Sequence, residues 1–295
     1  MKVRFAVSPG VDIWGDDDFG DFVDASETLG FDTIWLSDVP MGPQVDPLVG
    51  LAFAAGRTRR LKLGANVVPL GRNPMLLAKE LAQLDRLSDG RVLLSLVPGL
   101  DQPGERGALG IGDGNRGRLI DEVIPLLRQW WRGEAVTHRD DHHDFAGVSV
   151  HPRPRQDPLE IWLGGVGPVA LRRAGRLADG WLGAAITPVE AAVAITTING
   201  AATDAGRTVD PEHFGLSIPY AAVEPDPATV AAMRARRPDG SIDEIFPVGP
   251  RHLRDLVGRL VDQGLSKFVV RPAGPATSWR DDLNRLADTV LDLQT

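Results

Sequence analysis

The chain has 295 residues, 43% hydrophobic and 24% charged, which suits either two modest domains or one large α/β barrel. It has no cysteine, which excludes a disulfide framework, a thiolate nucleophile, an iron–sulfur cluster and Cys-ligated zinc. The net charge of −8 argues against broad binding to nucleic acid, and no signal-peptide h-region or bilayer-length apolar run is seen, so a soluble, cytoplasmic protein without membrane partners is expected.

In chain order, short apolar runs at 3–8, 33–37, 62–68, 91–96, 160–163, 180–184, 214–220 and 267–271 read as strands. Most are apolar throughout rather than alternating, as parallel strands buried on both faces require. Amphipathic segments at 19–29, 47–56, 74–87, 117–131, 168–177, 188–205, 251–263 and 279–293 follow them in turn. Strands and helices alternating in this way predict a single-domain (β/α)8 TIM barrel over residues 1–295. The polar, then β-like, then proline-rich segment 133–158 reads as a small hairpin insertion before the fifth barrel strand, and 236–250 as irregular. In such a barrel the chemistry sits on the loops that follow the strands, so those loops hold the candidate residues.

The fifth of these loops stands out. The apolar run Ile161–Trp162–Leu163 ends in GGVGP, residues 164–168, and an Arg-rich helical pattern follows. Gly164, Gly165 and Gly167 permit backbone angles that side chains resist, and Pro168 suits a first helical position. The amides of Val169 and Ala170 are then free at a helix N-terminus, an anion site suited to phosphate. A tight turn that binds nothing is the alternative. In the next unit Thr187, Pro188 and Glu190 form a capping-box pattern, which sets a second helix N-terminus beside the first; two such termini can hold one phosphomonoester. Residues 165–170, GVGPVA, also match the dinucleotide fingerprint G-x-G-x-x-[GA]. That reading falls behind, because the match follows four βα units and no acidic residue ends the next strand to hold a ribose.

The order of motifs resembles the luciferase-like flavin and deazaflavin oxidoreductases, a (β/α)8 family named after bacterial luciferase. The matching stretches are GFDTIWLSD (30–38), LKLGANVVPLGRNPMLLAKELAQLDRLSDGRVLLSL (61–96), RLIDEVIPLLRQWWRGEAVT (118–137), PLEIWLGGVGPVALRRAGRLADGWLG (158–183) and LVDQGLSKFVVRP (260–272). The resemblance implies hydride transfer between an unidentified small organic substrate and the deazaflavin coenzyme F420, with FMN as the alternative cofactor. It assigns the cofactor phosphate to Gly164, Gly165, Gly167, Ala185 and Ile186. It also implies a non-prolyl cis bond and bulge within Ala65–Asn66–Val67–Val68, with Ala65–Asn66 the first choice, against a regular strand end. Ala65, Asn66 and Val68 would thereby support the ring system.

Asp38 matches the family Asp that contacts the deazaflavin ring or its hydroxyl, which makes it a candidate catalytic residue, with an exposed turn residue before Pro40 as the plain alternative. Val39 stands where many relatives have His, and valine cannot move protons. In the loop VPGLDQPGE (97–105), Gly99 and Leu100 would face the cofactor, and Asp101 is the best match for a catalytic carboxylate, with Glu105 the spare. A solvated loop carboxylate is the plain alternative for Asp101. Two other readings remain: an FMNH2-dependent monooxygenase served by a separate flavin reductase, and a flavin-binding protein without turnover. Relatives are often homodimers.

Other signals count for less. Adjacent His142 and His143 point to opposite faces of a strand and do not share a tetrahedral metal site easily, so a solvated loop is expected there. Trp130 and Trp131 read as packing anchors, and Trp14 and Trp279 as either pocket linings or buried loop anchors.

Overall fold

The computed structural model describes residues 1–9, 18–100, 102–112, 115–140, 143–237, 242–273 and 278–295. Its strands are β1 (Arg4–Val7), β2 (Thr33–Ser37), β3 (Lys62–Val67), β4 (Val92–Leu96), β5 (Val136–Arg139), β6 (Asp144–Val148), β7 (Ile161–Gly164), β8 (Gly180–Ala184), β9 (Phe214–Tyr220) and β10 (Lys267–Pro272). All but β5 and β6 close a parallel barrel in the order β1-β10-β9-β8-β7-β4-β3-β2, and β5 pairs antiparallel with β6 in the expected hairpin. The helices are α1 (Asp18–Leu29), α2 (Pro47–Arg57), α3 (Pro74–Leu87), α4 (Glu105–Ala108), α5 (Arg116–Trp131), α6 (Pro168–Leu177), α7 (Pro188–Asp204), α8 (Pro227–Arg236), α9 (Pro250–Asp262) and α10 (Trp279–Val290). This is the expected (β/α)8 architecture with its insertion before the fifth barrel strand.

Local chemistry explains where the helices begin. Helices α2, α3, α6, α7, α8 and α9 all start on proline, whose fixed φ suits the first helical position and whose missing N–H has no intrahelical partner to lose. Asp46, Asn73, Thr187 and Asp226 cap α2, α3, α7 and α8 through side-chain oxygens. Helix α8 was not expected. It buries none of its described residues, so it has no apolar stripe to betray it, only an Asp-Pro cap and alanine-rich propensity.

Two compact units make up the chain. The first comprises Met1–Trp35, Arg60–Lys62 and Trp162–Thr295; the second comprises Leu36–Arg59 and Leu63–Ile161. In the first unit β9 is buried at every position and is hydrogen-bonded to both β8 and β10, as a strand enclosed on all sides must be. The Phe5 and Phe268 rings pack 5.6 Å apart on neighbouring strands. Where β1, β2, β3 and β10 begin, Asp32 lies 2.9 Å from Lys267, 3.2 Å from Lys62 and 3.5 Å from Arg4, and accepts the Thr33 hydroxyl at 2.6 Å. This is the strand N-terminal end, where buried charge serves stability rather than chemistry. Trp279 also lies in this unit. It packs edge-on to Phe22 at 5.7 Å and its indole N–H donates to Asp18, so it is a helix anchor rather than a pocket wall. Trp14 lies outside the described residues, as does His142.

In the second unit β3 and β4 pair without interruption from Leu63↔Val92 to Val67↔Leu96. Among the described residues the cis peptide bonds are His151–Pro152 and Asp157–Pro158, so the expected cis bond at Ala65–Asn66 is not formed. A regular ladder satisfies this strand in the trans form, which for a non-prolyl bond is favoured by about 3–4 kcal/mol. Trp130 and Trp131 are the anchors expected: their indole N–H groups donate to Val148 O and Ala78 O, fastening α5 to the hairpin and to α3.

Candidate functional site

The glycine turn of the first unit is open. Gly165, Val166 and Gly167 are exposed, and no side chain caps α6, whose N-cap is Gly167. The first-turn amides of α6 therefore face outward with the helix dipole behind them. Gly165 has φ +99°, and a Cβ there would come within 2.9 Å of the Ala170 Cβ, so only glycine fits. Buried Trp181, on the neighbouring strand β8, holds the turn by donating its indole N–H to Gly165 O at 2.9 Å. Gly164 is half-buried at the end of β7. The arrangement is a rigid cradle of backbone donors suited to an anion.

The second helix terminus carries the expected cap. Thr187 and Glu190 do form the capping box: the Glu190 amide donates to Thr187 Oγ1 at 3.2 Å, and the Thr187 amide to Glu190 Oε2 at 2.8 Å. Those two donors are committed within the box, which leaves the exposed Val189 as the first-turn amide of α7 that the cap does not use. What α7 contributes is a neutralised edge. Arg237, remote in sequence, clasps Glu190 through both terminal nitrogens at 2.8 and 3.0 Å and donates to Ala185 O at 3.1 Å. The hydrogen bonds from Arg237 hold the Glu190 carboxyl below its ordinary pKa. Ala185 adopts φ +54°, a conformation costly for a residue with a Cβ, and the Arg237 contact helps to retain it; Ile186 beside it is buried. Replacing Arg237 with alanine releases Ala185 and uncovers the Glu190 charge. We expect inorganic phosphate to bind that variant about tenfold more weakly by calorimetry, with the wild-type melting temperature largely kept.

The second unit carries the carboxylate cluster at the end of β2. Asp38, with its side chain only 4% exposed, accepts from Arg72 Nη2 at 2.9 Å and from the Val68 amide at 3.1 Å, both on Oδ2. Its own amide donates to Asn66 O. Arg72 also reaches Asp46 Oδ2 at 3.2 Å and donates from Nε to Val68 O. Burial pulls the guanidinium pKa down, but Asp38 and Asp46 outweigh it and hold the pKa above its ordinary value. The Asn66 amide donates to Ser37 Oγ at 3.0 Å, while its buried Oδ1 and the buried Oγ of Ser95, opposite it on β4, have no hydrogen-bond partner among the described residues. Orphaned buried oxygens at strand ends mark a place where a ligand can supply the missing donors. Ala65 and Val68 are buried, and the Val68 amide is already committed to Asp38.

On the loop after β4, Gly99 lies against buried Glu105, whose Oε2 accepts the Gln102 amide and sits 3.8 Å from Arg116 Nη1; Arg116 donates to Pro98 O at 2.6 Å. Leu100 is 62% exposed, a large apolar side chain presented rather than packed. Asp101 lies outside the described residues. Sequence reasoning overlooked Arg72, Arg116 and Arg237. Each pairs with a carboxylate distant along the chain, or in Arg116's case on the preceding loop, and no spacing rule reveals such partners.

The family model described as luciferase-like monooxygenase matches residues 15–262. Among characterised proteins the chain is 29% identical over 192 residues to F420-dependent glucose-6-phosphate dehydrogenase of Amycolatopsis mediterranei (strain U-32), covering 62% of this chain and 57% of that one. It is 32% identical over 193 residues to 5,10-methylenetetrahydromethanopterin reductase of Methanolobus tindarius, covering 65% and 57%. The matches thus span little more than half the length of these relatives. Among solved structures, an F420-dependent secondary alcohol dehydrogenase in complex with an F420-acetone adduct superposes with a TM-score of 0.82 at 17% identity, covering all of both chains.

Proposed function

Because the chain belongs to the luciferase-like monooxygenase family, we propose that it is an oxidoreductase that moves hydride between the deazaflavin F420 and a small organic molecule. The observation that carries this reading is the open, uncapped glycine turn before α6, whose exposed amides suit the cofactor phosphate. Gly164, Gly165, Gly167, Ala185 and Ile186 are assigned to the phosphate. The orphaned oxygens of Asn66 and Ser95 and the exposed side chain of Leu100 support assigning Asn66, Gly99 and Leu100, with Asp38, to the ring system. When bound, a deazaflavin supplies a two-electron hydride carrier; the chain supplies placement, electrostatics and exclusion of water.

Hydride transfer to or from a carbonyl group also needs a proton to move. Val39 cannot carry one, and Asp38 and Glu105 are each engaged by a guanidinium or a backbone amide. The resemblance gives that task to Asp101, the best match on the β4 loop for the family's acid–base carboxylate. FMN is the alternative cofactor for the same glycine turn and would require a separate flavin reductase; Val39, in place of histidine, disfavours the oxygen-activating route. No helix among the described residues is long and apolar enough to cross a membrane, and the absence of cysteine suits a reducing cytoplasm. Exposed Val49 and Phe53, one turn apart on α2, suit a homodimer contact.

Titration of F420 with the purified protein is expected to quench cofactor fluorescence, and turnover to bleach it only when substrate is added. Asp101→Asn is expected to lower kcat at least a hundredfold while leaving the cofactor Kd unchanged. Quenching with no bleaching across a broad panel of alcohols and carbonyl compounds would favour a binding protein. Oxygen uptake with reduced FMN would favour the monooxygenase.

A further inference from the structure

A cavity of about 300 Å³ lies wholly within the second unit, bounded by the loop after β3, residues 109–111, the partly exposed side of α5 and the hairpin. Gly71 lets the two loops close on one another: it has φ +73°, and a Cβ there would fall on the Leu109 carbonyl. The walls are mainly apolar, from residues such as Leu70, Leu109, Ile111 and Val123. At one end stands Arg72. Nε and Nη2 of Arg72 are bound to Val68, Asp38 and Asp46, which fixes the plane of the guanidinium, whereas Nη1 has no hydrogen-bond partner among the described residues. The cavity thus combines apolar walls with a lining arginine whose plane is fixed and whose Nη1 donors are unused, a composition that suits a small-molecule site.

Charge decides what kind of molecule fits. Arg72 is already opposed by Asp38 and Asp46, and two further carboxylates, Glu122 and Asp140, line the cavity. Glu122 is paired with Arg118 at 3.2 Å, and Asp140 with the His143 ring at 3.2 Å. Among the described residues around the space carboxylates outnumber guanidinium groups, so a bound anion would meet net repulsion. Each of those carboxylates already has a partner, and Glu122 and Asp140 are partly open to water, so a cation would gain little for the hydration it gives up. A neutral acceptor oxygen meets neither obstacle.

We infer that this cavity binds an uncharged, mainly apolar molecule through a carbonyl or similar acceptor oxygen held by Arg72 Nη1. That this molecule is the organic substrate or product rests on the oxidoreductase reading above; its binding does not.

The test uses cofactor-free full-length protein and calorimetric titration with 2-octanone, octanoate and octylamine. The ketone is expected to bind at least tenfold more tightly than either charged analogue. Val123→Trp, which fills the cavity from the partly exposed side of α5, and Arg72→Met are each expected to weaken ketone binding at least tenfold, the loss of one charge-assisted hydrogen bond or of the cavity itself. Val123→Trp decides the matter if Arg72→Met does not fold. Ketone affinity unchanged in Val123→Trp, no ketone binding by the wild type, or octanoate or octylamine binding as tight as the ketone would each overturn the proposal. Deazaflavin quenching measured on the same samples separates the two readings. Ketone binding without quenching rejects the cofactor but keeps the cavity, and quenching without ketone binding does the reverse.

Discussion

Replacing Asp32 with asparagine is expected to cost about 3–5 kcal/mol of stability, because it strips the counter-charge from a buried lysine. Lys267 is 8% exposed and Asp32 is 10% exposed, so neither can turn to water, whereas Lys62, 43% exposed, can. Burial alone would raise the Asp32 pKa, but Lys267 and Lys62 outweigh it, aided by the Thr33 hydroxyl, and bring it to about 2. Burial dominates for Lys267, which faces one carboxylate but also Lys62 and Arg4, and its pKa falls to about 8. The consequences for pH differ in sign. Below about pH 4 the unfolded Asp32 takes up a proton that the folded one refuses, so about 2 kcal/mol is lost as pH falls from 4 towards 2. Between about pH 8 and 10.5 the unfolded Lys267 keeps a proton that the folded one releases, so this residue makes stability rise with pH in that range. Urea unfolding of wild type and Asp32→Asn across pH 2–7 checks the acid limb: the variant should be weaker at pH 7, and the difference should shrink towards pH 2. The double variant Asp32→Asn/Lys267→Met should regain most of the loss, since an apolar side chain needs no partner there. A loss below 1 kcal/mol in the single variant would mean that the cluster is hydrated.

Gly165→Ala is expected to remove cofactor binding almost completely. The added methyl lies 2.9 Å from the Ala170 Cβ at a φ of +99°, so the turn must open, which moves the amides that face the anion. Loss of two or more charge-assisted hydrogen bonds corresponds to a hundredfold or greater rise in Kd. The strain itself costs about 1–3 kcal/mol, so the variant should still fold. Fluorescence quenching at matched folded fraction separates the two effects.

How much of this was legible depends on what each feature needs. Strands Thr33–Ser37, Gly180–Ala184 and Phe214–Tyr220 emerge from the sequence with their observed ends because burial on both faces demands an unbroken apolar run. Helices α3 and α6 do so because Asn-Pro and Gly-Pro mark their starts. The anion cradle is legible for the same local reason, since a glycine turn is written in adjacent residues. Helix α8 is not, because it buries no stripe, and the Ala65–Asn66 bond is trans because a family habit does not bind a strand whose ladder is already complete. The electrostatic frame of the site was invisible: Arg72 meets Asp38 across 34 residues and Arg237 meets Glu190 across 47. Such pairs arise from the fold and leave no period in the chain. The cap of α7 is legible for the local reason too: Thr187 and Glu190, three apart, form both bonds of the box their spacing predicts.

Cofactor binding by this protein depends on whether the backbone amides before α6 hold a phosphate. The most direct measurement compares the affinity of the wild-type protein for the deazaflavin bearing a monophosphate on its ribityl chain and for the same ribityl deazaflavin without it. At least a hundredfold preference for the phosphorylated form, abolished in Gly165→Ala, is the predicted result. Equal affinity for the two, or a preference that survives Gly165→Ala, would contradict it.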